Sequence, residues 1–186
     1  MRVITGSARG TALKAPKGLD TRPTLDQVKE GMFSAVQFEV EGSTVLDLFA
    51  GSGQLGIEAL SRGARHAVFV DAGREPCRII RENLEKTRLA DRAEIVCADG
   101  LRYLRTAGRR FELVLLDPPY AGDFLENTLN LISEIDILAK SGIIICERPA
   151  ERALRTDFPG LRHWRDYRYG RAALTIFRKA EPLEGL

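Results

Sequence analysis

Between residues 45 and 147, short apolar runs alternate with stretches in which apolar residues recur every three or four positions. Such runs, bounded by charge or glycine, are typical of strands buried on both faces of a sheet. The predicted strands are Val45–Phe49, Ala67–Val70, Ala93–Cys97, Leu113–Leu116 and Gly142–Cys146. The helices between them are marked by Ile57 and Leu60, by Cys77, Ile80 and Leu84, and by Leu125, Leu129, Ile132 and Ile135. The alternation predicts an α/β domain whose parallel sheet has right-handed crossovers and helices on both faces.

The two ends of the chain have different patterns. Arg2–Ile4 and Thr11–Leu13 predict a small hairpin that closes between Gly6 and Gly10. A helix over Leu25–Gln37 should follow, since an apolar stripe begins after a capping box; its markers are Thr24, Gln27, Leu25, Val28, Met32 and Val36. Gly31 within it indicates a locally weak helix or a close contact.

Beyond Pro149, two extended stretches flank Tyr169 and Gly170, which predicts an antiparallel hairpin on the sheet edge. Because successive side chains of a strand point to opposite faces, we expect the side chains of Trp164, Leu174 and Ile176 to face the core.

Length and composition favour a single domain over residues 1–186, with a basic hairpin extension at 1–23 and a catalytic core at 24–186. The chain has three cysteines, Cys77, Cys97 and Cys146. Because their number is odd and they lie in apolar or periodic stretches, we expect them to be reduced thiols in the core. Only two histidines are present, so a metal site is not expected. No run is long enough to span a membrane and no signal peptide is evident, so we expect a cytoplasmic protein.

The net charge of +2 conceals a basic segment at the start of the chain. Residues 1–24 contain five basic residues against one acidic residue. A short basic arm on a nearly neutral body suits contact with a phosphate backbone, and the candidates are Arg2, Arg9, Lys14 and Arg22. The alternative is an ordinary hairpin edge protected by Lys and Arg.

The stretch FELVLLDPPY ends a buried strand abruptly, because the two prolines cannot donate to a sheet ladder. Ligands of open α/β sheets bind at the carboxyl ends of the strands. Asp117 and the Pro118 carbonyl could accept hydrogen bonds from an exocyclic amine, and Tyr120 could stack on the ring that carries the amine. The alternative is a turn with no chemical role.

Gly51, Gly53 and Gly56 form a G-x-G-x-x-G motif between a strand and a helix, and Asp71 follows Gly51 by twenty residues. The motif alone does not choose a cofactor. Asp47, inside the first strand, disfavours a pyrophosphate and favours a ligand with a cationic amino acid portion. Asp71 could hold a diol and Asp99 an adenine amino group. Alternatively, Asp47 is a buried structural acid, and Asp71 and Asp99 are helix caps.

At this level of detail the chain resembles a known family. VLDLFAGSGQLGIEALSRGA, VFVDA, Asn83-Leu84, CADG, FELVLLDPPY, GIIICE and the early TRPTLDQVKEGMF are similar to the class I S-adenosylmethionine-dependent methyltransferases that modify the guanine N2 amine in bacterial 16S ribosomal RNA. The resemblance implies a doubly wound, mostly parallel seven-stranded sheet with a C-terminal antiparallel hairpin. The chain departs from the family pattern at three positions: Gln54, Lys29 and Gly31.

The resemblance further implies the roles of individual residues. It assigns S-adenosylmethionine to Asp47, Phe49, Ala50, Gly51, Ser52, Gly53, Asp71, Asp99 and Gly100, and catalysis to Asp117, Pro118 and Tyr120. The expected substrate is 16S rRNA, within a partly assembled small subunit, and the expected enzyme is a monomer without a metal. Acceptors at Asp117 and Pro118 would aim the lone pair of the amine at the sulfonium methyl group.

Four other functions compete with this interpretation. Adenine-N6 DNA methyltransferases and glutamine-N5 protein methyltransferases share the glycine loop and a similar proline motif. A nicotinamide-dependent dehydrogenase shares the fingerprint but leaves DPPY without a role. A noncatalytic RNA-binding module is disfavoured by the intact Asp117 and Tyr120.

Overall fold

One seven-stranded sheet organises the molecule. The computed structural model describes residues 1–16, 23–118 and 123–180. The strands are β1 Thr44–Leu48, β2 His66–Asp71, β3 Ala93–Cys97, β4 Phe111–Leu116, β5 Leu138–Pro149, β6 Leu161–Tyr169 and β7 Ala172–Lys179. Their order is β3-β2-β1-β4-β5-β7-β6. The first five strands pair in parallel, and β7 runs antiparallel to β5 and β6, which confirms the predicted sheet and its C-terminal hairpin.

Helices cover both faces of the sheet. They are α1 Pro23–Ala35, α2 Gln54–Ser61, α3 Arg74–Thr87, α4 Gly100–Thr106 and α5 Phe124–Glu134, with a short 3-10 helix at Ala90–Arg92. Residues 1–16, which we call the arm, pack with α1, α2 and α3 against one face, called here the arm face. The helices α4 and α5 pack against the opposite face. This arrangement confirms the doubly wound architecture.

Two elements, α4 and β5, differ most from the sequence prediction. The helix α4 was not predicted, because its seven residues bury only Gly100, Tyr103 and Leu104 and so carry little periodicity. Strand β5 begins at Leu138 rather than Gly142, since Leu138 pairs with Phe111 across an irregularity in the ladder. At its other end β5 continues to Pro149 rather than ending at Cys146, so Glu147 lies within the strand.

Alternation along the strands determines which acidic residues share a face. On β4, Leu113 and Leu115 belong to the core of the arm face, whereas Val114 and Leu116 belong to the opposite core. On β5, Ile143 and Ile145 likewise face the arm. Successive side chains of a strand point to opposite faces. Asp117 and Glu147, the next residues in these two series, therefore project toward the arm face.

The arm reverses direction as a hairpin does but forms little β-ladder. A single antiparallel bridge joins Arg2 and Ala12. Three of its apolar side chains are buried in the core: Val3, Ala8 and Leu13. Most of its other contacts go to helices rather than to a second strand. Buried Glu58 of α2 accepts the backbone N–H groups of Ile4 at 2.7 Å and Thr5 at 3.0 Å. The predicted hairpin is thus confirmed as a reversal of the chain, anchored by side chains of the core.

Gly31 has a packing role rather than marking a weak helix. A Cβ atom on Gly31 would lie 2.1 Å from the hydroxyl oxygen of Tyr169, so α1 and β6 approach each other closely at this position.

The prediction that all three cysteines lie in the core is wrong for one of them. Cys77 and Cys146 are buried, but Cys97 is exposed, because β3 is the outer strand of the sheet.

Within the described part of the chain, every helix is too short or too polar to cross a membrane.

Candidate active site

The loop between β1 and α2 reverses the chain through left-handed backbone. Phe49, Gly51 and Gly53 have φ values of 68°, 56° and 75°. A Cβ atom on Gly51 would meet no atom within 4 Å, so the loop has open space on that side. A non-glycine residue in this conformation costs on the order of 1 to 3 kcal/mol and clusters at functional sites. The strained Phe49 therefore agrees with a ligand-binding loop.

Asp71, at the end of β2, holds this loop in place. Its Oδ2 accepts the N–H of Gly51 at 2.9 Å and its Oδ1 accepts the N–H of Gly73 at 2.8 Å. A carboxylate has about four acceptor positions, so both oxygens keep lone pairs for a diol. Gly73 is the N-cap of α3. No side chain of the described residues caps α3, so the capping interpretation of Asp71 is wrong, and its contact with a diol stays a prediction.

Asp47 is a buried acid behind the loop. Its side chain is 1% exposed, and its Oδ2 accepts the N–H of Gly56 at 2.8 Å. Burial raises the pKa of Asp47 well above its usual range, with smaller contributions from Asp117 and Asp71, while the Gly56 hydrogen bond lowers it. The hydrogen bond to Gly56 supports the structural role considered in the sequence analysis, and a contact of Asp47 with a cofactor stays a prediction.

The next strand end carries Asp99 and Gly100. Asp99 is the N-cap of α4 and its Oδ1 accepts the N–H of Arg102 at 2.9 Å. A Cβ atom on Gly100 would lie 2.5 Å from the Phe49 ring, so glycine is required for this approach. The same ring packs edge-on against Phe124 at a centroid distance of 5.0 Å. Phe49 thereby links the glycine loop to the β3 end.

Asn83 of α3 joins the glycine loop to the arm. Its side chain is fully buried. Its Nδ2 donates to the carbonyl of Ser52 at 2.9 Å and to the carbonyl of Lys14 at 3.0 Å. Its Oδ1 accepts the N–H of Lys14 at 2.8 Å. The conformation of the loop and the path of the arm are therefore set by the same side chain.

Two acids lie side by side at the ends of β4 and β5. Leu116 pairs with Cys146, so the next residues, Asp117 and Glu147, are neighbours on adjacent strands. Glu147 is 6% exposed and Asp117 is partly buried. Burial, with the charge of Glu147 second, raises the pKa of Asp117 to about 7. A carboxyl group titrating near neutrality at a strand end is a candidate proton acceptor.

The remaining catalytic candidates are less fully defined. Pro118 is buried directly after Asp117. Tyr120 lies outside the described residues, as does Arg22.

The predicted RNA-binding residues are spread along the arm. Lys14 Nζ pairs with Glu82 at 2.5 Å, and Arg2 lies 3.8 Å from Asp26. Arg9 is exposed in the turn that packs on the last residues of α2, where Ser7 donates its N–H to the Ser61 carbonyl at 2.8 Å. Since α2 spans Gln54–Ser61, Arg9 lies roughly 12 Å along that helix from the glycine loop.

Three features of this edge have no assigned role in the sequence analysis. Glu147 lies beside Asp117, and the sequence marks it as the acidic residue that ends the apolar run GIIICE. The β6–β7 turn reaches the same edge, because Ala172 pairs with Pro149 of β5, and it exposes Arg168 and Arg171. Among the residues that the structure describes, none forms a hydrogen bond with the buried Oε1 of Gln54. This acceptor lies at the start of α2, and the sequence marks it only as a departure from the family pattern.

Among the described residues, no group of three or more His, Cys, Asp or Glu side chains is arranged to hold a metal ion.

Comparison with known proteins agrees with this geometry. Residues 1–178 match the family described as Conserved hypothetical protein 95. A Bacillus subtilis protein, YlbH, whose name refers to rRNA methylation, is 41% identical over 182 residues, covering 96% of this chain and 99% of the relative. Escherichia coli Ribosomal RNA small subunit methyltransferase D is 35% identical over 156 residues, covering 84% of this chain and 78% of the relative.

A solved structure extends the comparison to three dimensions. The Escherichia coli methyltransferase yhhF has a TM-score of 0.86 at 33% identity, covering 96% of this chain and 97% of that chain. The sheet order, the glycine loop and the acids at the strand ends define a class I S-adenosylmethionine-dependent methyltransferase. Within that class, the chain belongs to the family described as Conserved hypothetical protein 95, together with these relatives.

Proposed function

We propose that this protein transfers a methyl group from S-adenosylmethionine to the exocyclic N2 amine of a guanine in 16S ribosomal RNA. The observation that carries the proposal is Asp117, a carboxyl group with a pKa raised to about 7, at the strand end beside the glycine loop. The rRNA substrate is supported by the names of the relatives from Bacillus subtilis and Escherichia coli. The choice of guanine N2 rests on the family resemblance.

The residues of the β1–α2 loop fit the cofactor. Gly51 leaves room for a ligand on its open side. Asp71 keeps lone pairs for ribose hydroxyl groups, and the orphan Oε1 of Gln54 could accept a hydrogen bond from the ammonium group. The other residues in this proposal are Phe49, Ala50, Ser52, Gly53, Asp99 and Gly100, with Asp47 acting through the N–H of Gly56. The bound cofactor supplies an electrophilic methyl group on a sulfonium centre.

Asp117 would orient the amine and receive its proton. The guanine amine is a weak nucleophile because its lone pair is delocalised into the ring. A carboxylate that accepts one N–H favours the charge that develops on nitrogen. As the new carbon–nitrogen bond forms, the amine nitrogen must lose a proton, and a carboxyl group with a pKa near 7 can accept it at neutral pH. The Pro118 carbonyl would accept the second N–H, and Tyr120 would stack on the base.

The RNA would lie across the carboxyl edge of the sheet. A guanine in a duplex cannot reach Asp117, so the target is expected to be unpaired or flipped out. Arg168 and Arg171 are exposed at this edge, which supports a role for them in phosphate contacts. Arg9 lies in the turn of the arm, at the end of α2 away from the glycine loop, so its contact with RNA remains a prediction. We further propose that a monomer acts on a partly assembled small subunit.

Calorimetry tests the cofactor. S-adenosylhomocysteine should bind and NAD should not, and Asp71→Asn should weaken binding by about 1 to 3 kcal/mol. Tight binding of NAD with no binding of S-adenosylhomocysteine would overturn the assignment.

Labelled methyl transfer tests the substrate. The acceptors are naked 16S rRNA and small-subunit particles from cells that lack the gene, with DNA and total protein as comparisons. Mass spectrometry of the digested rRNA should find N2-methylguanine. Label in DNA adenine or in protein glutamine, with none in rRNA, would favour the competing functions instead.

A further inference from the structure

Aromatic and basic side chains gather where the outer strand β6 passes the segment that follows α1. Among the described residues, Phe38 is the one large hydrophobic side chain that is exposed, at 88%. It precedes Glu39, whose Oε1 accepts a hydrogen bond from the guanidinium of Arg178 at 2.7 Å. The same guanidinium lies over the Trp164 ring, 4.0 Å from its centroid. We call this surface the edge patch, and its members are Phe38, Arg162, Trp164, Arg165 and Arg178.

A β-bulge in β6 shapes the edge patch. The register with β7 shifts between His163 and Arg165, so Trp164 is the extra residue. Trp164 packs against the core of the arm face, and Arg165 pairs with Ile176 of the same core. The bulge thus brings two consecutive side chains together where a regular strand would separate them. The Arg165 guanidinium lies 5.2 Å from the centroid of the Trp164 ring.

Positive charge is in excess in the edge patch. Arg162 and Arg165 are exposed, and no acidic residue in the described part of the chain forms an ion pair with either of them. Arg162 also stands opposite Arg178 in the β6–β7 register. Like charges directly opposite each other destabilise a strand pair. A bound anion would remove this repulsion.

Arginines interleaved with aromatic rings suit single-stranded RNA. Phosphates pair with guanidinium groups, and unpaired bases stack on aromatic rings and on the planes of arginine side chains. The RNA that the site is proposed to bind carries negative charge and flat rings in one chain. Charge complementarity therefore favours RNA over a protein as the occupant of the edge patch.

The edge patch lies too far from Asp117 to contact the same nucleotide. Three strand spacings separate β4 from β6, which is roughly 14 Å. Trp164 lies five residues before the end of β6, which adds roughly 16 Å along the strand. The resulting separation of roughly 20 Å exceeds the size of one nucleotide.

We infer that the edge patch binds an unpaired RNA segment that flanks the target nucleotide. Phe38 and Trp164 stack on its bases. Arg162 and Arg165 contact its phosphates. The inference rests on the proposed function and adds a second anchoring surface to it, one that contributes to RNA binding and not to the methyl transfer step.

Trp164 reports on the edge patch directly, because it is the one tryptophan of the chain. Titration with single-stranded oligouridine RNA should quench its fluorescence. Inorganic polyphosphate, which carries charge but no bases, should quench it far less. Equal quenching by the two polymers, or no quenching by RNA, would overturn the stacking role.

Two variants test the contribution to the substrate. Phe38→Ala should weaken oligouridine binding roughly 5-fold or more, which corresponds to the loss of one base stack. Arg165→Glu should weaken binding and lower its salt dependence. With small-subunit particles, both variants should raise KM and leave kcat and S-adenosylhomocysteine affinity unchanged. The matched control is Arg105→Glu, an exposed arginine of α4 on the opposite face, which should change neither KM nor RNA affinity.

Thermal unfolding verifies that each variant is folded. Wild-type KM and RNA affinity in both folded variants would overturn the inference and leave the arginines as ordinary protection of an edge strand. A raised KM for particles with unchanged affinity for naked 16S rRNA would also overturn it, because the edge patch would then contact a ribosomal protein. Failure of the proposed function is distinguishable, since it would appear as a lack of rRNA methylation by the wild type alone.

Discussion

Asp117→Asn should slow catalysis and stabilise the fold at the same time. Asn keeps the shape of the side chain but replaces one acceptor oxygen with a donor and removes the charge. By analogy with loss of one oxyanion-hole donor, turnover should fall by about 10² to 10³, or roughly 2.7 to 4 kcal/mol. Cofactor affinity should change little, because Asp71 rather than Asp117 anchors the glycine loop.

The stability effect follows from the pKa of Asp117, which rises from 3.8 to about 7 on folding. Between these values the unfolded state has released the proton and the folded state still holds it. The free energy of unfolding of the wild type therefore decreases as pH rises through this window and levels off above about pH 7. A shift of roughly 3 units corresponds to at most about 4 kcal/mol. Asn cannot titrate, so the variant should escape this loss.

Two measurements check both halves of the prediction. Single-turnover methylation gives the rate, and urea unfolding at about pH 5 and about pH 8 gives the stability difference. The variant should gain stability over the wild type mainly at the higher pH, and the wild-type rate should rise with pH up to about 7. The exposed Asp91→Asn is the control. Near wild-type turnover, or a stability gain that is absent at the higher pH, would refute the reasoning.

Three further predictions concern the arm and the edge of the site. Gly6→Ala should destabilise the fold more than Gly10→Ala, since both have φ above 80° but only the Gly6 Cβ would clash, at 1.8 Å from the Ser61 oxygen; urea unfolding measures the difference. Asn83→Ala should cost about 2 kcal/mol or more and weaken S-adenosylhomocysteine binding in calorimetry. Arg171→Glu should reduce the salt dependence of RNA binding more than Arg9→Glu does, and equal slopes would contradict this expectation.

The sheet could be predicted from the sequence because a short run of neighbouring residues marks each strand. A run such as Leu113–Leu116 is buried on both faces, so apolar character alone marks it. The prolines that follow fix its end, and the carboxyl ends of parallel strands meet at one edge. The positions of Asp71 and Asp117 therefore followed from the pattern without knowledge of the packing.

The features that sequence could not supply depend on long-range placement. Glu147 becomes significant only when the β4–β5 register sets it beside Asp117. Likewise, Gly31 resembles a weak point in a helix until Tyr169 is found against it, more than a hundred residues later in the chain. The short α4 was missed for a different reason, since seven residues give too few turns for a periodic pattern.

The docking of the arm implies an order of events during synthesis. The arm leaves the ribosome before the residues that hold it, because Ile4 binds Glu58 and Lys14 binds Asn83, at separations of 54 and 69 residues. Until α2 and α3 have emerged and folded, Val3 and Leu13 have no core to enter. The arm is therefore made before the helices that hold it but docks only after they have folded, and its link through Asn83 to Ser52 of the glycine loop forms last.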